Sequence, residues 1–127
     1  MNTLKKAALY LDHFTANIFE YEKKAILLKT IESAFNSYEK GKIIQKGESH
    51  LHHKEQALQN AFYLKLREEL RVYNDVLLFG STSAKIELKN ILNNDNRFND
   101  VTITIKNTDK LTKKQQIAFI KEIFYID

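Results

Sequence analysis

The stretch "DVLLFGSTSAK", residues 75–85, joins the pattern of a buried strand to the pattern of a helix. Its apolar run ends at Gly80, and such a continuous run is typical of a strand buried on both faces of a sheet. Three hydroxyl residues follow, and apolar residues then recur at helical spacing up to Leu92. The stretch therefore predicts a central strand over 75–80 that turns directly into a helix over 81–95.

Three β-prone runs with very short connections precede this unit: "AALYLDH" (7–13), "TANIFEYE" (15–22) and "AILLKTIES" (25–33). Strands joined by such short connections pair antiparallel, because a parallel pair needs a crossover of a dozen or more residues. The runs therefore predict an antiparallel meander, with 25–33 as an edge strand.

A long helix is predicted over about 50–73, where apolar residues recur at spacings of four and three. Ser49 is the candidate N-cap residue. The preceding segment, 36–49, contains Gly41, Gly47 and several lysines, and we expect it to form a flexible loop. The apolar stripe of the helix consists of Leu58, Phe62, Leu66, Leu70 and Tyr73.

Two further elements complete the pattern. Apolar and polar residues alternate in "DVTITIKNT" (100–108), which predicts a strand. Thr112 and Gln115 have the spacing of a capping box, which predicts a helix over 112–125. The order β-β-β-α-β-α-β-α, with right-handed crossovers, then predicts a single α/β domain over 1–127. Its five-stranded mixed sheet would have the order 3-2-1-4-5, a topology that resembles RNase H-like domains.

The composition excludes several classes of protein. The 127 residues, 43% hydrophobic and 28% charged, fit one soluble globular domain. Cysteine is absent, which excludes disulfides and thiolate chemistry. No apolar run approaches the roughly 20 residues that span a bilayer, so we expect a cytoplasmic protein without membrane contact. The formal net charge of +4 permits contact with nucleic acid but is shared by many proteins that do not bind it.

The turn after the central strand is the first candidate site. Backbone amides at such turns point toward anions, and open α/β sheets usually bind ligands at this end of their strands. Helix capping by Ser81, Thr82 or Ser83 is the simpler explanation of the turn, and the glycine spacing of a P-loop is missing. Lys110, Lys113 and Lys114 form either a solubilising surface or a further RNA contact. The candidate RNA- or anion-binding residues are Gly80, Ser81, Thr82, Ser83, Lys85, Lys40, Lys42, Lys46 and Lys54.

The histidines in "KGESHLHHKEQ" (46–56) are the second candidate. Adjacent helical residues point about 100° apart, so at most His50, His52 and Glu55 can converge on one ion. A solvated helix start explains the cluster more simply, and we expect no metal ion and no other cofactor. A metal-dependent hydrolase would need Asp12 as well, but Asp12 is also explained as a turn residue.

Several stretches of the chain resemble a known family. The most specific are "VLLFGSTSAKIELKN" (76–90) and "TDKLTKKQQIAFIKEIF" (108–124), and "ANIFEYE" (16–22) and "ESHLHHKEQ" (48–56) agree with them. They resemble small bacterial proteins related to the middle domain of archaeal and eukaryotic class-1 peptide-release factors and of Pelota. The resemblance covers nearly the whole chain and implies an RNase H-like fold and a connection with translation.

The chain differs from the release factors in the segment before the long helix, and this difference changes the activity that the resemblance implies. Release factors have a GGQ loop before the long helix, which serves peptidyl-tRNA hydrolysis. Here Gly47 is followed by Glu48 and Ser49, and no GGQ occurs in the chain. The resemblance therefore implies a non-enzymatic protein whose partner is the ribosome or tRNA. Two alternatives stay open: a degenerate RNase H-like hydrolase, and an interaction module that forms a homodimer through the edge strand 25–33.

Overall fold

The computed structural model of the chain describes residues 5–34 and 48–125, with side chains for all of these except 48–54. It confirms the α/β fold and a five-stranded mixed sheet in the order β3-β2-β1-β4-β5. The strands are β1 (Lys6–Leu11), β2 (Thr15–Glu22), β3 (Lys24–Glu32), β4 (Asp75–Gly80) and β5 (Thr102–Asn107). The described helices are α1 (Glu48–Leu70), α2 (Ala84–Asn93) and α3 (Lys113–Tyr125), with a 3-10 turn at Asn96–Phe98.

The strand pairing confirms both parts of the predicted topology. β1 pairs antiparallel with β2, and β2 pairs antiparallel with β3, which is the predicted meander. β4 lies parallel to β1 on one side and to β5 on the other. Leu78 of β4 is paired with Leu9 of β1 and with Ile105 of β5, so the apolar run is the central strand that the sequence predicts.

Helices cover both faces of the sheet, and successive residues of β4 point to opposite faces. This explains why β4 is apolar along nearly its whole length rather than alternating. On the first face, α1 and α2 pack against the sheet through Leu66, Leu70, Leu88, Leu92, Leu9, Val76 and Leu78. On the second face, α3 packs through Ile120, Phe124, Ala8, Phe19, Leu77 and Phe79.

The first described helix begins earlier than predicted. It spans Glu48–Leu70 rather than 50–73, so Ser49 lies inside the helix and its prediction as the N-cap is wrong. The negative charge of Glu48 suits a helix N-terminus, and no helix-breaking residue follows Gly47 until the helix ends. Of the predicted loop 36–49, residues 36–47 lie outside the described part of the chain.

The same helix ends earlier than predicted because tertiary contacts redirect the chain. Tyr73 is buried beyond the helix, and its hydroxyl donates a hydrogen bond of 2.7 Å to Oε1 of Glu20 in β2. The backbone N–H of Asn74 then donates to the carbonyl oxygen of Lys5, 2.8 Å away, which aligns the start of β4 beside β1. An apolar residue at helical spacing therefore belongs to the core without belonging to the helix.

The two later helices differ in how well they were predicted. α2 spans Ala84–Asn93, shorter than the predicted 81–95, because the hydroxyl residues form the turn and Asp95 caps the 3-10 turn instead. The capping box of α3 is confirmed: the N–H of Gln115 donates to Oγ1 of Thr112 at 3.2 Å, and the N–H of Thr112 donates to Oε1 of Gln115 at 2.8 Å. None of the helices in the described ranges is long and apolar enough to cross a membrane.

β3 lies at the edge of the sheet, as the sequence predicts. Ile26 and Leu28 are each 48% exposed there. The pairing register with β2 shifts between Ile18 and Phe19, which marks a bulge in the β2–β3 ladder. Bulges interrupt the regular alternation of an edge and so hinder pairing with another strand. Formation of a homodimer through β3 stays a prediction.

Candidate functional site

The carboxyl ends of β1 and β4 lie side by side at one edge of the sheet. From β1 the chain continues to β2 on one side, and from β4 it continues through α2 to β5 on the other. Such a divergence is the topological switch point at which open α/β sheets bind ligands. The topology therefore points to the space just beyond these two strand ends.

Gly80 allows the two strand ends to approach each other. Its φ is +152°, a conformation that residues with a side chain rarely adopt. A Cβ at this position would lie 2.5 Å from the carbonyl oxygen of Leu11. Gly80 is therefore required for the backbone geometry at the base of the site.

A cleft of about 300 Å³ opens at the switch point. The hydroxyl of Tyr10 accepts a hydrogen bond of 2.8 Å from the backbone N–H of Leu111, which holds the segment before α3 against β1. Three parts of the chain thus contribute to one concave surface, which combines two leucine side chains with one acidic, one basic and three hydroxyl-bearing side chains. The cleft is lined by Tyr10, Leu11, Asp12, Ser81, Thr82, Lys110 and Leu111.

The two carboxylate oxygens of Asp12 have different surroundings. Its Oδ1 accepts hydrogen bonds of 2.8 Å from the backbone N–H groups of Phe14 and Thr15, which confirms the interpretation of Asp12 as a turn residue. Its Oδ2 has no hydrogen-bond partner among the side chains that the structure describes, those of residues 5–34 and 55–125, and the residue is exposed. One oxygen therefore holds the turn, and the other offers a charged acceptor to the cleft.

The hydroxyl residues after β4 have separate roles. Oγ1 of Thr82 accepts a hydrogen bond of 3.2 Å from the N–H of Ala84, which closes a local turn just before α2, whose N-cap residue is Ser83. The carbonyl oxygen of Ser83 accepts the first hydrogen bonds of α2, while its side chain makes no capping bond. Ser81 is exposed on the wall of the cleft, where its hydroxyl can reach a ligand.

Lys85 lies inside the fold rather than at the surface. Only 3% of the residue is exposed, and its ammonium group donates to the carbonyl oxygen of Thr82 and, at 3.0 Å, to Oδ1 of Asn107. Burial lowers the pKa of Lys85 because both partners are neutral groups. The side chain ties the turn after β4 to the end of β5. Its position gives Lys85 a structural role at the base of the site rather than a direct contact with a ligand.

Three other lysines face the solvent at this edge of the sheet. Lys110 lines the cleft, and Lys113 and Lys114 are exposed in the first turn of α3, which contains no acidic residue. Positive charge at a helix N-terminus opposes the helix dipole. These three exposed cations therefore come from the segment before α3 and from its start.

A polar network beside the cleft joins residues that no local sequence pattern connects. Glu87 of α2 accepts a hydrogen bond of 2.6 Å from the hydroxyl of Tyr63, and its other oxygen lies 3.2 Å from Oγ of Ser83 and 3.4 Å from Nε2 of His13. Burial alone raises the pKa of Glu87, but the hydrogen bonds from Tyr63 and His13 outweigh it and lower the pKa below its ordinary value. Burial, reinforced by Glu87, raises the pKa of Tyr63. The network fixes α1, α2 and the β1–β2 turn relative to one another.

The same network does not have the geometry of a nucleophilic triad. Oγ of Ser83 lies 3.4 Å from Nε2 of His13, the ring nitrogen that also contacts Glu87. In a Ser-His-acid triad, the serine and the carboxylate contact opposite nitrogens of the imidazole. The network therefore positions the turn rather than activating Ser83.

The remaining predicted site residues lie in or before α1. Lys40, Lys42 and Lys46 are outside the described residues. Glu55 is half-buried in α1, and the same helix contains His50, His52 and Lys54, whose side chains are not described. Among the side chains that are described, no group of three or more His, Asp or Glu residues could hold a metal ion.

Comparisons with known proteins show a likeness in structure but not in sequence. The chain matches no protein-family model and no curated protein sequence. Its fold is similar to part of the crystal structure of the Thermoplasma acidophilum Pelota protein, with a TM-score of 0.63 and 14% identity over 93% of this chain. It is also similar to part of Archaeoglobus fulgidus Pelota, with a TM-score of 0.62 and 10% identity over 97% of this chain. The chain spans about a third of each of those proteins, 32% in both cases, and has the fold of a Pelota domain.

Proposed function

We propose that this chain is a non-enzymatic, translation-associated domain that contacts the RNA backbone of the ribosome or of tRNA. The observation that carries the proposal is the cleft at the switch point of a Pelota-like sheet, with exposed lysines beside it. The fold makes the role plausible by analogy, and the site supplies the chemistry. The contact surface is the edge that contains Ser81, Thr82 and Lys110.

The exposed lysines are suited to phosphate contacts. A bound phosphate would offset the unfavourable placement of Lys113 and Lys114 at the start of α3. Each lysine that neutralises a phosphate releases counterions, so binding would weaken steeply as salt rises. Such contacts are independent of RNA sequence and suit a partner recognised mainly by its backbone.

The segment before α1 belongs to the same proposal. Lys40, Lys42 and Lys46, together with Lys54 inside α1, occupy the region where release factors have their GGQ loop and the helix that follows it, and the family resembled consists of small bacterial proteins. Since GGQ is missing from the chain, we propose for this segment a contact with RNA and no peptidyl-tRNA hydrolysis.

Co-sedimentation with ribosomes at low and moderate salt tests the proposal. The test variant carries Lys110→Glu, Lys113→Glu and Lys114→Glu. It should sediment less than the wild type, and the slope of log K against log salt should fall by roughly 2 to 3 for three lost contacts. The control variant carries the same charge change at exposed lysines elsewhere: Lys24→Glu, Lys65→Glu and Lys121→Glu.

Two outcomes would reject the proposal in different ways. If the wild type neither sediments with ribosomes nor binds RNA at low salt, the function is wrong. If the control variant loses as much binding as the test variant, the location of the surface is wrong.

The hydrolase alternative has less support. Oδ1 of Asp12 is used by the β1–β2 turn, and β4 is followed by hydroxyl residues where a second acid would be needed. Two-metal hydrolysis requires several carboxylates around a pair of ions. No observation on the described residues favours this alternative.

A further inference from the structure

The cleft contains a carboxylate and an ammonium group that are not paired with each other. Asp12 and Lys110 both line it, and no ion pair joins them in the described structure. Among the described side chains, those of residues 5–34 and 55–125, and the described backbone, no hydrogen-bond partner is found for Oδ2 of Asp12, the hydroxyl of Ser81 or the ammonium of Lys110. A ligand that satisfies all three groups must carry a negative charge and a hydrogen-bond donor close together.

The size of the cleft limits what can enter it. About 300 Å³ is at the lower end of the range for ligand pockets. This space suits one nucleotide, whereas an A-form duplex presents its bases and ribose groups on a broad surface. A single strand can place one of its units into such a recess while its neighbours stay outside.

We infer that the cleft binds one ribonucleotide unit of a single-stranded RNA and distinguishes ribose from deoxyribose. The inference rests on the proposed function and names the chemistry by which its site recognises RNA. Lys110 and Ser81 contact a phosphate. Oδ2 of Asp12 accepts a hydrogen bond from the 2′-hydroxyl, and the apolar surfaces of Leu11 and Leu111 lie against the sugar or base.

The roles of the two charged residues follow from elementary chemistry. A carboxylate at the end of a strand is a suitable acceptor for ribose hydroxyls, as it is in dinucleotide-binding folds. The 2′-hydroxyl is the group by which a protein tells RNA from DNA at a given site. Lys110 contributes charge that RNA and DNA satisfy equally, so only Asp12 confers the discrimination.

Fluorescence anisotropy with matched oligouridines tests the inference, using strands of about ten nucleotides to span a single site. The ribose and deoxyribose strands differ only in the 2′-hydroxyl, and uridine monophosphate serves as a free-nucleotide competitor. The wild type should bind the ribose strand roughly tenfold more tightly than the deoxyribose strand, because one hydrogen bond to a charged group contributes about that much. Uridine monophosphate should compete only weakly, because it lacks the neighbouring phosphates that the exposed Lys113 and Lys114 would contact in a strand.

The substitution Asp12→Asn isolates the recognition step. The amide oxygen can still accept the two turn hydrogen bonds, while an NH₂ group replaces the free acceptor. The ratio of the affinities for the ribose and the deoxyribose strand should fall to about one. The control Asp109→Asn removes the same charge from an exposed residue that does not line the cleft, and it should keep the preference. Lys110→Gln should lower the affinity for the ribose and the deoxyribose strand by the same factor.

Each contrary result has a defined meaning. Equal binding of the two strands by the wild type, or a preference that survives Asp12→Asn, overturns the inference and leaves the proposed RNA contact standing. Uridine monophosphate that binds as tightly as the strand overturns the assignment to a strand. Absence of binding to any RNA overturns both the inference and the proposed function.

Discussion

The substitution Gly80→Ala tests the close approach of the two strand ends on which the cleft depends. A φ of +152° is strained for alanine, at a cost of roughly 1–3 kcal/mol. The new Cβ would also lie 2.5 Å from the carbonyl oxygen of Leu11, a backbone atom of β1, and relieving this overlap costs roughly 1–3 kcal/mol more. Reduced freedom of the unfolded chain offsets about 0.4–1 kcal/mol. The net expectation is a loss of roughly 2–4 kcal/mol in the free energy of unfolding.

Urea denaturation measures this loss directly. The chain has no tryptophan, so far-ultraviolet circular dichroism is the suitable signal. With a denaturant slope near 1.5 kcal/mol per molar, the midpoint should fall by roughly 1 to 3 M. The neighbouring control Ser81→Ala changes an exposed residue and should stay within about 0.5 kcal/mol of the wild type. A loss of less than about 0.5 kcal/mol for Gly80→Ala would refute the reasoning, because the strand ends would then have room for a side chain.

Two further predictions concern polar groups around the core. Gln116→Leu should destabilise the fold by about 1–3 kcal/mol in urea denaturation, because buried Gln116 bonds to Asn17 at 2.9 Å and to the carbonyl oxygen of Leu111 at 3.0 Å, and both would lose a partner. Gln56→Leu, at an exposed position, is its control. The lowered pKa of Glu87 contributes stability that is present above the ordinary value of 4.5 and is lost as the pH falls through the folded-state pKa. The free energy of unfolding of the variant Glu87→Gln should therefore fall less than that of the wild type as the pH is lowered. The difference should be less than about 1 kcal/mol, because the group is largely exposed. Equal losses of stability in the two proteins would contradict the network.

Local sequence patterns predict the structure of a segment correctly where one interaction dominates that segment. The apolar run of β4 requires burial on both faces, which requires neighbours on both sides and helices above and below. The capping box of α3 involves two residues three positions apart, so its hydrogen bonds are visible in the sequence. The end of α1 was not predictable in this way, because Tyr73 leaves the helical path for a partner 53 positions away, Glu20 of β2.

The candidate site shows the same division between local and non-local information. A lysine that follows hydroxyl residues at a strand-to-helix turn has the composition of an anion site, and Lys85 was predicted as part of one. Its ammonium group lies instead between Thr82 and Asn107, and the second of these partners is 22 residues away. Lys110, which lines the cleft, comes from a different loop, next to Leu111, which Tyr10 holds against β1. Which lysine faces the cleft is therefore decided by the packing of β1, β4 and α3, and composition alone does not show that Lys85 is buried.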